Sequence, residues 1–316
     1  MDLHEPGPDV DSGRTDNPSP ARDASAPAAS AGAPPEDTGT PAAVPPASSR
    51  TGRNLPVAAA VGLGLGGLVI VTLFTVKSTF LLVMGVMVAI AVWELGQALR
   101  SREITIPLVP VYAGGAAVYT CAYWLGYHAM LAALVVTTIG VLVWRLPGAA
   151  AGYLRDVTAG IFAVVYLPLA GAFVALMLSA PDGAHRAFLF VVLTVCSDVG
   201  GYFAGILLGK HPLVPRISPH KTWEGLAGSV VACLAAGGAL LPVLLHGHVW
   251  QGLILGAVAA VAAALGDLVE SMIKRDLGIK DMGSLLPGHG GALDRIDAML
   301  LTAPVTWLLL TVFIPH

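Results

Sequence analysis

Four polar residues stand at regular spacing in the stretch ALGDLVESMIKRD: Asp267, Glu270, Ser271 and Lys274, at i, i+3, i+4 and i+7. On a helix this spacing draws one polar stripe along two turns. Carboxylate, hydroxyl and ammonium groups on one face can hold a metal and an anion together. The same spacing also suits a helix end emerging into water, with an internal ion pair from Lys274 to Asp267 or Glu270. A second polar group follows in GIKDMGSLLPGHGGALDRID. Its glycines let backbone N–H groups approach a ligand closely. Lys280 and His289 can bind phosphate oxygens, and Asp294 and Asp297 fall at i, i+3 at a helix start. Such paired carboxylates, set opposite Asp267, are hard oxygen ligands of the kind Mg²⁺ takes, with substrate phosphates filling the remaining positions. The helix N-terminus also favours anions there. Ordinary capping by first-turn aspartates is the competing reading. It leaves the dense Gly, His, Lys and Arg before them unexplained.

A third group lies upstream in CSDVGGYFAGILLGKHPLVPRISPHKTWEG. Asp198 sits within an apolar run beside Ser197, Gly200, Gly201 and Gly205. An aspartate among glycines points to a cavity or a close helix crossing, or to a group satisfied by Ser197 or the backbone. The basic residues after it, Lys210, His211, Arg216, His220 and Lys221, suit anion binding or a simple orientation signal. Thr222 has the chemistry of a helix cap, with Pro219 ending whatever precedes it.

The elements that must position these groups are set by composition. Of 316 residues, 55% are hydrophobic and 12% are charged, against about 25% charged in a soluble globular protein. This predicts an all-α integral membrane protein. About 20 apolar residues cross the hydrocarbon core, and nine such runs follow the first 54 residues: 55–76, 79–99, 105–126, 128–146, 157–178, 186–208, 223–245, 249–272 and 295–314. With the N-terminus in the cytoplasm, thirteen basic residues fall on the cytoplasmic side and only Lys77 and Arg186 on the other, leaving out two arginines farther up the tail. The bias fits nine spans and places the polar loops 209–222 and 273–294 on the cytoplasmic face. Eight of the twelve acidic residues beyond the tail lie from Asp198 onward. Residues 55–180 therefore read as scaffold, and residues 181–316 as the region with the chemistry. Residues 1–54, acidic and rich in Pro, Ala, Ser and Gly, are expected to be disordered, and they lack the basic start and apolar core of a signal peptide. Cys121, Cys196 and Cys233 sit singly in apolar runs without metal-site or disulfide spacing, and read as small packed residues.

Ser271-x-x-Lys274-Arg275, then Lys280-Asp281, Gly288-His289-Gly290-Gly291 and Leu293-Asp294-Arg295-Ile296-Asp297 resemble the signature of the phosphatidate cytidylyltransferase family. Ser218-Pro219-His220-Lys221-Thr222-Trp223-Glu224-Gly225 and Asp198-Val199-Gly200-Gly201-Tyr202 resemble two further elements of that family. Ala292 departs from it where a larger aliphatic residue is expected, and the long tail is not part of the pattern. The resemblance implies an all-helical membrane enzyme that joins CTP and phosphatidic acid into CDP-diacylglycerol and pyrophosphate with Mg²⁺, working as a homodimer at the inner membrane with its site facing the cytoplasm. It implies a two-metal site on Asp267 and Asp294, with Asp297 and Asp281 as further ligand candidates and the second ion divalent or monovalent. Asp267, Asp294, Lys274 and His289 are then the expected catalytic residues. Lys221, Ser271, Arg275, Lys280, Arg295 and Asp198 are expected to bind the substrates. His289 has three candidate roles: phosphate contact, proton donor to the leaving group, or a bond that shapes the loop. No nucleic-acid partner is expected. Two rivals are a lipid enzyme of the polyprenol or phytol kinase type, which should lack the full 271–297 motif, and a transporter, which should show internal repeats and a midplane site.

Overall fold

The computed structural model describes residues 55–148, 150–283 and 291–315. The expected disordered tail and His289 lie outside the described residues. Ten helices follow one another: α1 (Leu55–Thr75), α2 (Lys77–Arg100), α3 (Leu108–Leu125), α4 (Tyr127–Trp144), α5 (Tyr153–Tyr166), α6 (Pro168–Ser179), α7 (Gly183–Leu208), α8 (Trp223–Leu245), α9 (Val249–Leu277) and α10 (Leu293–Phe313). The first two predicted runs are separate helices, parted at Val76, whose backbone is extended. The fifth is broken into α5 and α6 at Leu167. Pro168 lacks an N–H, so the helical ladder loses a bond there, although Leu167 itself keeps a helical backbone. Eight segments among the described residues are long and apolar enough to cross a membrane, with α5 and α6 together making one, and the chain is a multi-pass membrane protein.

The bundle is apolar on its outside. Leu82, Val136, Leu207 and Val243 are each more than 60% exposed, as lipid-facing residues would be. Lipid is as apolar as leucine, so helix association in a membrane rests on close packing of small residues rather than on burial of oil. At the crossing of α7 and α8, a methyl group on Gly200 would come within 2.7 Å of the Gly228 carbonyl oxygen. One buried cluster is built around Phe80, Phe190, Leu193, Leu241, Leu255 and Leu310. A second, around Val92, Leu95, Ile106, Val164, Leu293 and Ile296, packs beneath the polar end of the bundle.

The basic connections meet at that end. Arg102, after α2, donates to the Asp276 and Leu277 carbonyls at the end of α9, at 3.2 Å each. Asp156 of α5 pairs with Arg145, after α4, at 3.1 Å and accepts the Thr105 N–H at 3.0 Å. Arg275 donates to the Ile217 carbonyl between α7 and α8 at 3.3 Å. Lys77 and Arg186 occupy the opposite end. Lys77 donates to the Ala180 carbonyl, and Arg186 donates to the Leu310 and Ile314 carbonyls at the end of α10. Arg102, Arg145 and Arg275 are thus tied into connections on one side, and Lys77 and Arg186 into those on the other. The connection between α7 and α8, expected as loop, carries an antiparallel hairpin of β1 (Pro212–Val214) and β2 (Ser218–Thr222).

Candidate active site

The hairpin brings Lys221 to α9. Trp223 N–H donates to the His211 carbonyl and closes the hairpin against the start of α8. Thr222 caps α8, its hydroxyl accepting the Gly225 N–H at 3.0 Å, as its chemistry predicts. Glu224, in the first turn of α8, accepts the Lys210 and His211 N–H groups at 3.2 Å each and meets His211 Nδ1 at 2.6 Å. So fixed, Lys221 forms an ion pair with Asp267. Both line a cavity of about 370 Å³, which Asp198, Gly201 and Ser229 also line. Asp198 is exposed to this space. The glycines around it serve both functions that the sequence offered, a cavity and a close crossing.

Beside the cavity, α9 and α10 touch at Gly266, where a methyl group would lie 2.5 Å from the Asp297 carbonyl oxygen. That contact sets Asp267, Glu270 and Asp297 together, with one oxygen from each within 4.8 Å of the others. Two full charges that far apart repel by about 3 kcal/mol at an effective dielectric near 20, and both Glu270 and Asp297 are largely out of water. Glu270 is wholly buried, and its Oε1 has no hydrogen-bond partner among the described residues. A buried orphan oxygen in a group of three carboxylates is what a hard cation satisfies, so the donor set fits a divalent metal.

The predicted stripe resolves into two pairs. Ser271 Oγ faces Asp267 Oδ1 at 3.5 Å, and Lys274 Nζ meets Glu270 Oε2 at 2.5 Å. The internal ion pair of the simpler reading exists, and Lys274 also reaches Asp294 Oδ1 at 2.8 Å. Asp294 Oδ2 accepts the Met282 and Gly291 N–H groups at 3.1 and 2.8 Å. It gathers the loop in front of α10 rather than capping the helix, whose N-cap, Ala292, has no side-chain bond. Helix α9 runs to Leu277, past the predicted span end at 272, so the stripe through Lys274 is helical as its spacing predicts, and Arg275 is helical too. Arg275, Lys280, Asp281 and Arg295 are exposed around this assembly.

The model of the cytidylyltransferase family matches residues 57–313. The chain belongs to that family. Among its relatives, phosphatidate cytidylyltransferase of Mycobacterium leprae is 42% identical over 83% of this chain and 89% of its own length. The enzyme of the same name from Mycobacterium bovis is 39% identical over 84% and 90%. That from Staphylococcus epidermidis is 44% identical, over 39% of this chain and 47% of its own. Two residues of this family member were not chosen from sequence. Glu270 belongs to the stripe but not to the ligand set that the resemblance implies, and it is the most buried carboxylate of the cluster. Glu94, in the helices read as scaffold, is also buried and bonds the loop before α10. A lone acid in the apolar run of α2 was the available signal, because charges within spans default to function.

Proposed function

We propose that the chain transfers the cytidylyl group of CTP to phosphatidic acid, giving CDP-diacylglycerol and pyrophosphate for phospholipid synthesis. The carrying observation is the orphan oxygen of Glu270 in an acidic cluster on α9 and α10, both inside the matched region. The nucleophile is the lipid phosphate, which has a second pKa of about 6 as other phosphate monoesters do. It is already largely dianionic at neutral pH and requires no strong base. Its oxygen bonds to the α-phosphorus of CTP, the bond from that phosphorus to the bridging oxygen breaks, and pyrophosphate departs with the electron pair. The remaining work is to bring two anions together and to stabilise the leaving group.

Lys221, at the cavity wall, is placed to meet a phosphate there while Asp267 holds its ammonium in position. Lys274, held between Glu270 and Asp294, offers a fixed positive charge at the rear of the site. Arg275, Arg295 and Lys280 supply exposed cations at the rim. Mg²⁺ held by Asp267, Glu270 and Asp297 would supply Lewis-acid charge to phosphate oxygens. Asp294, with Asp281 as the outlying member, completes the proposed ligand set for a second ion, divalent or monovalent. His289 belongs to the proposal on the strength of the motif alone.

We place the site on the cytoplasmic face of the plasma membrane. The joined basic connections support this orientation, as does the supply of CTP in the cytoplasm. The homodimer implied by the resemblance is part of the same reading, tested by the mass of the detergent-solubilised protein. The decisive experiment incubates the full chain with α-phosphate-labelled CTP, phosphatidic acid and Mg²⁺. The expected result is labelled lipid together with pyrophosphate, both dependent on phosphatidic acid. A kinase would leave the label in soluble CDP, and that outcome, or no lipid-dependent release, would overturn the assignment.

A further inference from the structure

Glu94 lies in α2, among the helices that carry no other member of the site. Its side chain is 1% exposed. Oε1 accepts the Ala292 N–H and Oε2 the Leu293 N–H, each at 2.9 Å. These are N–H groups at the start of α10, where a helix leaves donors without internal partners. Ala292 and Leu293 have no side-chain oxygen to serve as a cap, so the cap comes from a residue almost two hundred positions earlier. The fit is close. A methyl on Gly283 would lie 2.3 Å from Oε1, and one on Gly291 would lie 2.6 Å from Oε2. Of the two glycines that wrap the carboxylate, Gly283 follows Met282, and the N–H groups of Met282 and Gly291 hold Asp294. The bonds thus run from Glu94 through the backbone of 291–293 to Asp294, then Lys274, then Glu270.

We propose that Glu94 is a positioning residue for the cation site. It fixes the height and rotation of α10, so that Asp294 and Asp297 face α9 at the separation the cation requires. It touches neither substrate nor cation. The proposal rests on the cytidylyltransferase reading above for its activity readout, and on cation affinity alone for its second readout.

The test uses the full chain in detergent and the variant Glu94→Gln, which keeps the size of the side chain but turns one acceptor into a donor facing an N–H. Mn²⁺ binding without CTP is followed by electron paramagnetic resonance, beside kcat, the KM for phosphatidic acid, and melting in metal-free buffer. The expected result is Mn²⁺ affinity lower by about 10- to 100-fold, the range for residues that orient metal ligands from behind. A matching fall in kcat, little change in KM and a melting temperature near that of the parent complete the expectation. Folded Glu94→Gln with Mn²⁺ affinity within about twofold of the parent would overturn it. If Glu94→Gln does not fold, Glu94→Asp takes its place. Its shorter carboxylate cannot reach both N–H groups, and the same losses are expected. Parental Mn²⁺ affinity in that variant, or failure of both variants to fold, would assign Glu94 to the fold alone. A parent chain that binds Mn²⁺ but makes no cytidylyl lipid would sink the activity reading and leave the positioning claim to the binding data.

Discussion

Replacing Gly266 with alanine adds one methyl group at the contact between α9 and α10. That methyl would stand 2.5 Å from the Asp297 carbonyl oxygen and 3.1 Å from the Ala298 Cα, where ordinary contact begins at 3.4 Å. Both neighbours are helix backbone, which cannot rotate away as a side chain can. The helices must therefore part by about 0.9 Å at this point. Overpacking of this kind costs about 1–3 kcal/mol, and exchanging glycine for alanine within a helix returns about 1 kcal/mol. The net loss of stability is then at most about 2 kcal/mol. Activity should suffer more, because the displacement falls on the residue after which Asp267 follows and on Asp297 itself. A misplacement near 1 Å is worth about a hundredfold in rate. Initial rates of labelled lipid formation, with thermal melting alongside, give both numbers. Gly85→Ala is the control, since its nearest neighbour is the Tyr119 ring at 3.5 Å. A Gly266→Ala rate within about threefold of the parent would refute the idea that this crossing sets the geometry of the site.

Asp267→Asn and Asp294→Asn should each abolish turnover, and near-normal rates in both would remove the ligand assignment. Asp267→Asn should stay within about 1 kcal/mol of the parental stability, because the Lys221 pair is partly open to water, whereas Asp294→Asn breaks a largely buried pair with Lys274 and should cost about 3 kcal/mol, read from thermal melting. Thr222→Ala should cost about 1 kcal/mol through loss of the α8 cap, seen as a lower melting temperature that Thr222→Ser restores. Chelation with EDTA should stop product formation, and adding Mg²⁺ back at about one hundred times its Kd should raise stability by about 2.7 kcal/mol; a melting curve indifferent to Mg²⁺ would speak against a cation in the cluster.

The spans were legible because hydropathy over twenty residues is a sum, and sums survive local irregularity. The same averaging hid the break at Pro168, where a single missing N–H divides a run that is apolar throughout. The hairpin at 212–222 escaped for a different reason. Its prolines and lone charges show no alternation, and it is held by Glu224 and His211 rather than by a hydrophobic face. In the site, helical spacing put Asp267, Glu270, Ser271 and Lys274 on one stripe and left Lys274 a choice of two carboxylates, of which the structure selects Glu270. The link from Lys274 to Asp294 joins two helices, and nothing in the local pattern reports it. Glu94 was the least legible residue, since its partners are backbone N–H groups, which every residue but proline possesses. Asp294 was correctly placed at a helix start, but its partners turned out to be the loop before it.

The two ends of α10 are each met by charge from another helix: Glu94 of α2 at the start, Arg186 of α7 at the finish. The consequence concerns how the protein is made. Helix α10 leaves the ribosome well after α2, and until it arrives the N–H partners of Glu94 have not been synthesised. A lone carboxylate within a span costs a few kcal/mol in lipid, so α2 enters the membrane with a charge whose partners come only with α10. Arrival of α10 is then both the step that satisfies Glu94 and the step that completes the acidic cluster. A chain cut short before residue 293 would be left with an unsettled second helix as well as no site, a form that membrane quality control can distinguish from the finished one.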